Sequence, residues 1–290
     1  MDFRREQILG CLLGGALGDS LGSPHETKTP PFEVGEFGPL TDDTQLTLAT
    51  CEAIEGPGLI DPGRVAARFL AWFREGRLNG LGSSTLKALR DLEHGAHWAL
   101  SGREGEHAAG NGAAMRAAPL AFCLDPDDPS QRRTLRDICR ITHRNDEAYV
   151  GALAIVVAVR ESAAGSLHEG LYARLNDRLP DSAVRDRIAE LSRVPISVEQ
   201  LARDFGVSGY VVESVPFAIA SAIQLADLIT LEALKRVVAC GGDCDTTASM
   251  TGQILGAAGI PSVVHPGMPW RTEVQRIAEA VADRLTIGPR

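Results

Sequence analysis

Ile8-Leu9-Gly10-Cys11-Leu12-Leu13-Gly14-Gly15-Ala16-Leu17-Gly18-Asp19-Ser20-Leu21-Gly22 is the stretch whose reading decides the fold. Ile8, Leu9, Leu12, Leu13, Ala16 and Leu17 repeat at i, i+3 and i+4, the period of a helix with a buried face. Gly10, Gly14, Gly18 and Gly22 fall on every fourth position of the same segment. A glycine inside a helix costs about 0.5–1 kcal/mol against alanine. A stripe of four therefore predicts that another backbone, or a ligand, comes very close to that side. For Gly10 and Gly14, tight helix packing alone is an equal reading.

The same period recurs down the chain. Thr44 to Ala53 reads as a helix, and Asn145-Asp146-Glu147 caps an apolar one through Val150, Leu153, Ala154, Val157 and Ala158. Residues 210–229, 231–240 and 246–258 follow, the last rich in Gly252, Gly256, Ala257 and Ala258. Capping boxes stand at Ser197-Val198-Glu199-Gln200 and Thr272-Glu273-Val274-Gln275. No sustained period-2 alternation leaves room for a sheet. The expectation is an all-α chain forming one domain over residues 1–290, with 165–209, more charged and less apolar, as a peripheral insertion of short helices.

A chain of 290 residues, 44% hydrophobic, can bury one large core. Its net charge of −9 argues against general nucleic-acid binding and against anionic membranes, since neither partner gains from an acidic surface. No apolar run reaches the ~18–20 residues that span a bilayer, and Met1-Asp2-Phe3-Arg4-Arg5-Glu6 does not open a secretory leader. The six cysteines form no CxxC pair and mostly sit in apolar patterns, as reduced core residues of a cytoplasmic protein do. A monomer is expected.

Two acidic motifs carry the chemistry: Thr41-Asp42-Asp43-Thr44 and Gly241-Gly242-Asp243-Cys244-Asp245-Thr246-Thr247. Either alone is an ordinary helix cap. Together, four carboxylates in one partly buried place would repel by several kcal/mol unless cations neutralise them. Hard divalent ions such as Mg²⁺ or Mn²⁺ take such oxygen shells, and two of them balance four charges. Cys240 and Cys244 flank the second motif, but thiolates suit zinc rather than an oxygen-rich site. Two helical metal-enzyme classes are excluded. Asp42-Asp43-Thr44-Gln45-Leu46 lacks the third Asp of an isoprenoid-diphosphate enzyme, and no histidine precedes an aspartate as in a His-Asp phosphohydrolase.

Three further clusters complete the pattern. Gly18 to Glu26 ends the glycine-striped helix and offers a carboxylate in a loop. Gly110-Asn111-Gly112-Ala113-Ala114-Met115-Arg116 is a glycine-rich turn of the kind that suits a phosphate. Ile141-Thr142-His143-Arg144-Asn145 puts His143 before a helix, where it either contacts a ligand or serves as a structural hydrogen-bonder.

In this order the five motifs closely resemble the ADP-ribosylglycohydrolases, and most of all the bacterial branch that includes the dinitrogenase-reductase-activating glycohydrolase. The resemblance spans roughly residues 8–260. It implies an orthogonal all-α fold around a cleft with two Mg²⁺ or Mn²⁺ ions. Thr41, Asp42, Asp43, Asp243, Asp245 and Thr246 would be the metal ligands, with Asp245 bridging. Glu26, Asp43 and Asp243 are the catalytic candidates. Asn111, Gly112, Ala113 and Met115 resemble the strip that holds the diphosphate, His143 the nucleoside or distal-ribose side, and Tyr210 the adenosine end. For Tyr210 a buried core role is an equal reading.

One departure concerns the leaving group. Arginine-directed relatives place an acidic residue just before a Thr pair; here the loop reads Gly82-Ser83-Ser84-Thr85, with Ser83 at that position. A hydroxyl cannot form the bidentate ion pair that a carboxylate makes with a guanidinium, so Glu26 or Asp19 would have to substitute. The implied reaction is hydrolysis of the bond between the distal ribose and an acceptor, a side chain such as Arg or Ser or a small molecule. Its transition state resembles an oxocarbenium ion. A non-catalytic ADP-ribose-binding protein and a structural protein of the same fold are the rival readings.

Overall fold

The computed structural model describes residues 3–26, 28–194, 196–259, 268 and 270–286. Its helices, in chain order, are α1 Arg5–Gly22, α2 Asp42–Ala53, α3 Pro62–Arg74, α4 Ser83–Glu93, α5 Trp98–Ser101, α6 Leu120–Cys123, α7 Pro129–Arg140 and α8 Asp146–Ala163. They continue with α9 Gly170–Arg178, α10 Ala183–Leu191, α11 Val198–Phe205, α12 Val211–Gln224, α13 Thr230–Val238, α14 Cys244–Ala257 and α15 Arg271–Thr286. Among the described residues the only strands are β1 Arg103–Glu104 and β2 His143–Arg144, paired in parallel with Arg103 opposite His143. No described helix is long and apolar enough to cross a membrane.

The glycine stripe is resolved in favour of a backbone. A Cβ added at Gly10, Gly14 or Gly18 would lie under 3.0 Å from the carbonyl oxygen of Gly256, Gly252 or Ala248 respectively. Gly252 and Gly256 meet the carbonyls of Gly14 and Gly10 in return. As one index rises the other falls, so α1 and α14 run antiparallel with their backbones in contact. Such closeness is possible only without side chains at the crossing. Every residue of α14 is buried, and it is ringed by α1, α8, α12 and α13. Its polar members bond within the enclosure, as Thr251 Oγ1 does to Thr247 O at 2.8 Å and Gln253 Nε2 to Met115 O at 2.8 Å.

The seam also fixes what lies at its ends. At the last turn, a Cβ on Gly22 would strike the backbone of Asp245 under 3.0 Å away. The C-terminal end of α1, carrying Asp19, is therefore laid against the N-terminal end of α14, carrying Asp243 and Asp245.

The expected helices appear with small shifts. Asn145 caps α8 by accepting from Ala148 N at 3.1 Å, and Ser197 caps α11 by accepting from Gln200 N at 3.3 Å. The helix expected over 210–229 ends at Gln224, and a turn separates it from α13. Residues 165–209 do contain three short helices, α9 to α11. Their Leu171, Leu175, Val184, Ile188, Val198 and Leu201 belong to the same apolar cluster that runs from Ile8 to Ala282.

Candidate active site

Gly241 and Gly242 deliver the second acidic motif. Both hold positive φ, 75° and 67°, where L side chains are strained. The turn lets Asp243 N donate to Val207 O at 2.8 Å and starts α14 at the next residue. On the facing side, Thr41 caps α2, its hydroxyl accepting from Asp43 N. Asp19 docks that cap from α1: its carboxylate accepts from Thr41 N at 3.1 Å, Thr41 Oγ1 at 2.9 Å and Thr44 N at 3.2 Å. The two motifs then touch. Thr246 Oγ1 donates to Asp43 Oδ2 at 3.0 Å.

The result is a concentration of carboxylates. Asp19, Asp43 and Asp245 bring oxygens within 4.8 Å of one another, and so do Glu26, Asp243 and Asp245. Asp245 belongs to both groups. Asp19, Asp43 and Asp245 are 0%, 2% and 3% exposed. Burial, reinforced by mutual repulsion, pushes Asp42 and Asp43 well above the usual carboxylate range and Asp245 to about 9. Asp19 rises less, to about 6, because the hydrogen bonds from Thr41 and Thr44 oppose its burial. Glu26, at the mouth, is raised by burial and then by Asp243. Asp43 Oδ1 and Thr44 Oγ1 are buried with no hydrogen-bond partner. Without cations this cluster relieves its repulsion by binding protons, as the raised Asp42, Asp43 and Asp245 require. An oxygen-only set of this kind, with an orphaned carboxylate oxygen, fits a hard divalent cation.

Glu26, Asp42, Asp43, Asp243 and Asp245 form the acidic wall of a cavity of ≈ 250 Å³. The rest of its lining, the donor wall, meets the acidic one at the hydrogen bond between Asn111 and Asp243. The N-terminus of α4 contributes Ser83, Ser84 and Thr85, and the turn at 110–112 and His143 complete it. The segment 109–111 is pinned to the start of α12 by Asn111 N donating to Gly209 O and Val211 N to Ala109 O, both at 3.0 Å. Burial first, then Arg116 and Arg103, depress His143 to about 3, so its imidazole is neutral.

Most of the residues singled out from sequence meet here. Glu26, Asp42, Asp43, Ser83, Asn111, Gly112, Met115, His143, Asp243, Asp245 and Thr246 all line the cavity. Three do not. Thr41 lies behind Asp43, held by Asp19. Ala113 is turned into the apolar core. Tyr210 is 44% exposed and stands outside, with only its neighbour Gly209 on the wall, which removes the core-aromatic reading. Asn111 has another duty than holding a phosphate: its Nδ2 donates to Asp243 Oδ2 at 2.7 Å. Ser83 Oγ already accepts from Arg103 Nη1 at 3.0 Å. Asp19 is wholly buried and committed to the α2 cap, so it is no reader of a leaving group.

Other contributors escaped the sequence reading. Arg103, which donates to Ser83, and His107 come from a stretch without periodicity, Gly80 from the loop before α4, and Ser84 and Thr85 from the first turn of that helix. Cys244 is buried against Gly22 O, its thiol pushed up to about 12 by burial and by Asp245 and Asp243, and no cysteine joins a metal-capable cluster among the described residues. All six cysteines are free thiols.

Comparison with known proteins agrees with this geometry. The ADP-ribosylglycohydrolase family profile matches residues 1–289, and the chain belongs to that family. An uncharacterized protein of Archaeoglobus fulgidus is 29% identical over 94% of this chain and 95% of its own. An ADP-ribosylarginine hydrolase of Pseudomonas putida is 26% identical over 96% of this chain and 78% of its own. A solved structure described as an ADP-ribosylglycohydrolase-related protein complex superposes with a TM-score of 0.71 at 26% identity, covering 98% of this chain and 99% of that one.

Proposed function

We propose that this chain hydrolyses the glycosidic bond between the distal ribose of ADP-ribose and an acceptor, either a protein side chain such as Arg or Ser or a small molecule. The observation that carries the reading is one cavity with a mixed lining. It bears five carboxylates, of Glu26, Asp42, Asp43, Asp243 and Asp245, together with the α4 N-terminus and His143. An ADP-ribosyl group is two-ended, with ribose hydroxyls that suit cations and a diphosphate that suits backbone and imidazole donors.

Asp42, Asp43, Asp243, Asp245 and Thr246 would hold two divalent cations, Mg²⁺ or Mn²⁺, with Thr41 supporting Asp43 from behind rather than lining the cavity. Such cations supply charge stabilisation for the sugar oxygens in the transition state. The chain's own part is positional and protonic. Glu26, alone among the five in being exposed at the mouth, can take a proton from the attacking water or give one to the departing atom. Water contributes OH to the anomeric carbon and H to the leaving group. Asn111 holds Asp243 in place at 2.7 Å, and Asp19 holds the α2 cap.

The leaving-group side carries Arg103 on Ser83 rather than a free carboxylate. A guanidinium there disfavours an arginine leaving group, so we expect arginine-linked substrate to be cleaved slowly and O-linked or small 1″-substituted ADP-ribose to be accepted. Release of free ADP-ribose from labelled arginine- and serine-linked substrates tests both statements. Tight binding without release would leave the protein as a non-catalytic ADP-ribose binder.

A further inference from the structure

The largest fully buried side chain of the molecule is not apolar. Arg116 is 1% exposed, and its guanidinium lies 5.0 Å from the Phe69 ring centroid. Burying a cation is expensive unless its donors are used. Its two terminal nitrogens turn to the substrate side: Nη1 donates to Gly112 O, and Nη2 donates to Thr142 Oγ1 at 2.7 Å, while Nε has no partner among the described residues. Thr142, itself 0% exposed, lies 2.7 Å from His143 Nδ1 through the same Oγ1.

The direction of this chain of hydrogen bonds follows from the donor inventory. A guanidinium has no acceptor, so Thr142 Oγ1 must accept from Arg116. The one hydroxyl hydrogen of Thr142 then has, among the described residues, a single hydrogen-bonding acceptor, His143 Nδ1. Reversing that bond would leave a buried hydroxyl hydrogen unmade. With Nδ1 accepting, the imidazole proton resides on Nε2. That nitrogen meets no hydrogen-bond partner among the described residues. It packs against the bare Cα positions of Gly110 and Gly112, where added Cβ atoms would fall 3.2 Å from Nε2 and 2.8 Å from Cε1. His143 lines the cavity.

We propose that Arg116 and Thr142 are positioning residues that lock His143 as its neutral Nε2–H tautomer, so that the donor wall offers a hydrogen-bond donor, without an acceptor or a positive charge, to an oxygen of the bound ligand. Burial and the two nearby arginines disfavour the imidazolium, which agrees with this arrangement. The ligand's identity as an ADP-ribosyl group rests on the function proposed above; the tautomer does not.

The test is ¹⁵N NMR of the histidine side chains in the full-length protein, with Thr142→Val and Thr142→Ser, using the remaining single-histidine assignments to isolate His143. The wild type and Thr142→Ser should show a protonated Nε2 and an unprotonated Nδ1. Thr142→Val, equal in shape but without the hydroxyl, should show a mixture of tautomers. In the same variant KM for the ADP-ribosyl substrate should rise about tenfold with kcat little changed, and Thr142→Ser should restore it. A protonated Nδ1 or a charged ring in the wild type overturns the proposal even if Thr142→Val fails to fold, and so does an unchanged tautomer in folded Thr142→Val. The spectra need no substrate. A protein that releases no ADP-ribose but shows the locked tautomer refutes the proposed function and leaves this inference standing.

Discussion

The two walls of the cavity are built in different ways. The acidic wall is assembled by helix packing: the glycine seam between α1 and α14 presses Gly22 against Asp245, and Asp19 at the same end caps α2. The donor wall is assembled by turns and short pairings. It uses the α4 N-terminus, the turn at 110–112, the two-residue strands and a buried arginine. Carboxylates that repel one another need a rigid frame; uncharged donors, which do not, can be set by local hydrogen bonds. The acidic wall should therefore respond to substitution by losing chemistry or fold, and the donor wall by losing affinity.

The largest effect should come from Asp243→Asn or Asp245→Asn. Each removes a negative charge from the shared cluster and keeps its shape. We expect hydrolysis to fall by roughly three orders of magnitude or more, with the circular dichroism spectrum unchanged, since interactions of charges in a dry site count for several kcal/mol. Cys244→Ala should cost far less activity, because that thiol is protonated and faces Gly22 O. If Cys244→Ala proved the more damaging change, oxygen-only chemistry on this wall would be wrong.

Breaking the frame comes next. Gly14→Val or Gly252→Val places side-chain atoms where the partner backbone lies, under 3.0 Å from a carbonyl oxygen. The helices must separate, which should cost about 3 kcal/mol or more and show as a large drop in the denaturant midpoint. Full stability in either variant would mean that the seam does not organise the acidic wall.

Removal of divalent cations should give the protein a pH dependence that it otherwise lacks. Asp245 is raised from 3.8 to about 9 in the folded, cation-free protein, so between those values the folded state binds more protons than the unfolded one. Stability then falls as pH rises through this window, and Asp43 and Asp42 act in the same direction. Thermal melts in chelator should show a falling Tm from about pH 5 to pH 9, and added Mg²⁺ or Mn²⁺ should flatten the trend and raise Tm by linkage. A chelated protein whose Tm does not respond to pH or to added cation would remove the case for a metal site.

Two smaller effects separate the walls further. Asn111→Ala frees Asp243 from its 2.7 Å hydrogen bond and should lower kcat about tenfold while leaving KM nearly unchanged, the behaviour of an acidic-wall residue that happens to sit in the donor turn. Ser83→Asp should alter arginine-linked cleavage by less than about threefold, because Arg103, already 3.0 Å from Ser83 Oγ, captures the new carboxylate first. Ser83→Asp combined with Arg103→Ala frees it, and a gain confined to the double variant would establish Arg103 as the obstacle to a guanidine leaving group.

Much of this was readable before any coordinates. A glycine at every fourth position has one economical physical meaning, close approach, and the two Asp pairs beside Thr residues do gather their carboxylates in one place. Helix caps at Asn145 and Ser197 and the start of α2 follow from local hydrogen-bonding chemistry that involves only a few neighbouring residues. These are short-range facts, and short-range facts are written in the chain.

What only the tertiary structure decided is which distant partner each group takes. The stripe of α1 meets α14 rather than a ligand because Gly252 and Gly256 complement it. Asn111 is committed to Asp243, Ser83 to Arg103, and Arg116 through Thr142 to His143. Tyr210 is left outside and Ala113 turned inward by the pairing of residues 109–111 with the start of α12. Apart from the bond between the chain neighbours Thr142 and His143, each of these joins residues well separated in sequence, and a side-chain donor or acceptor carries no mark of its partner. The residue types set which bonds were possible; the packing of the helices chose among them.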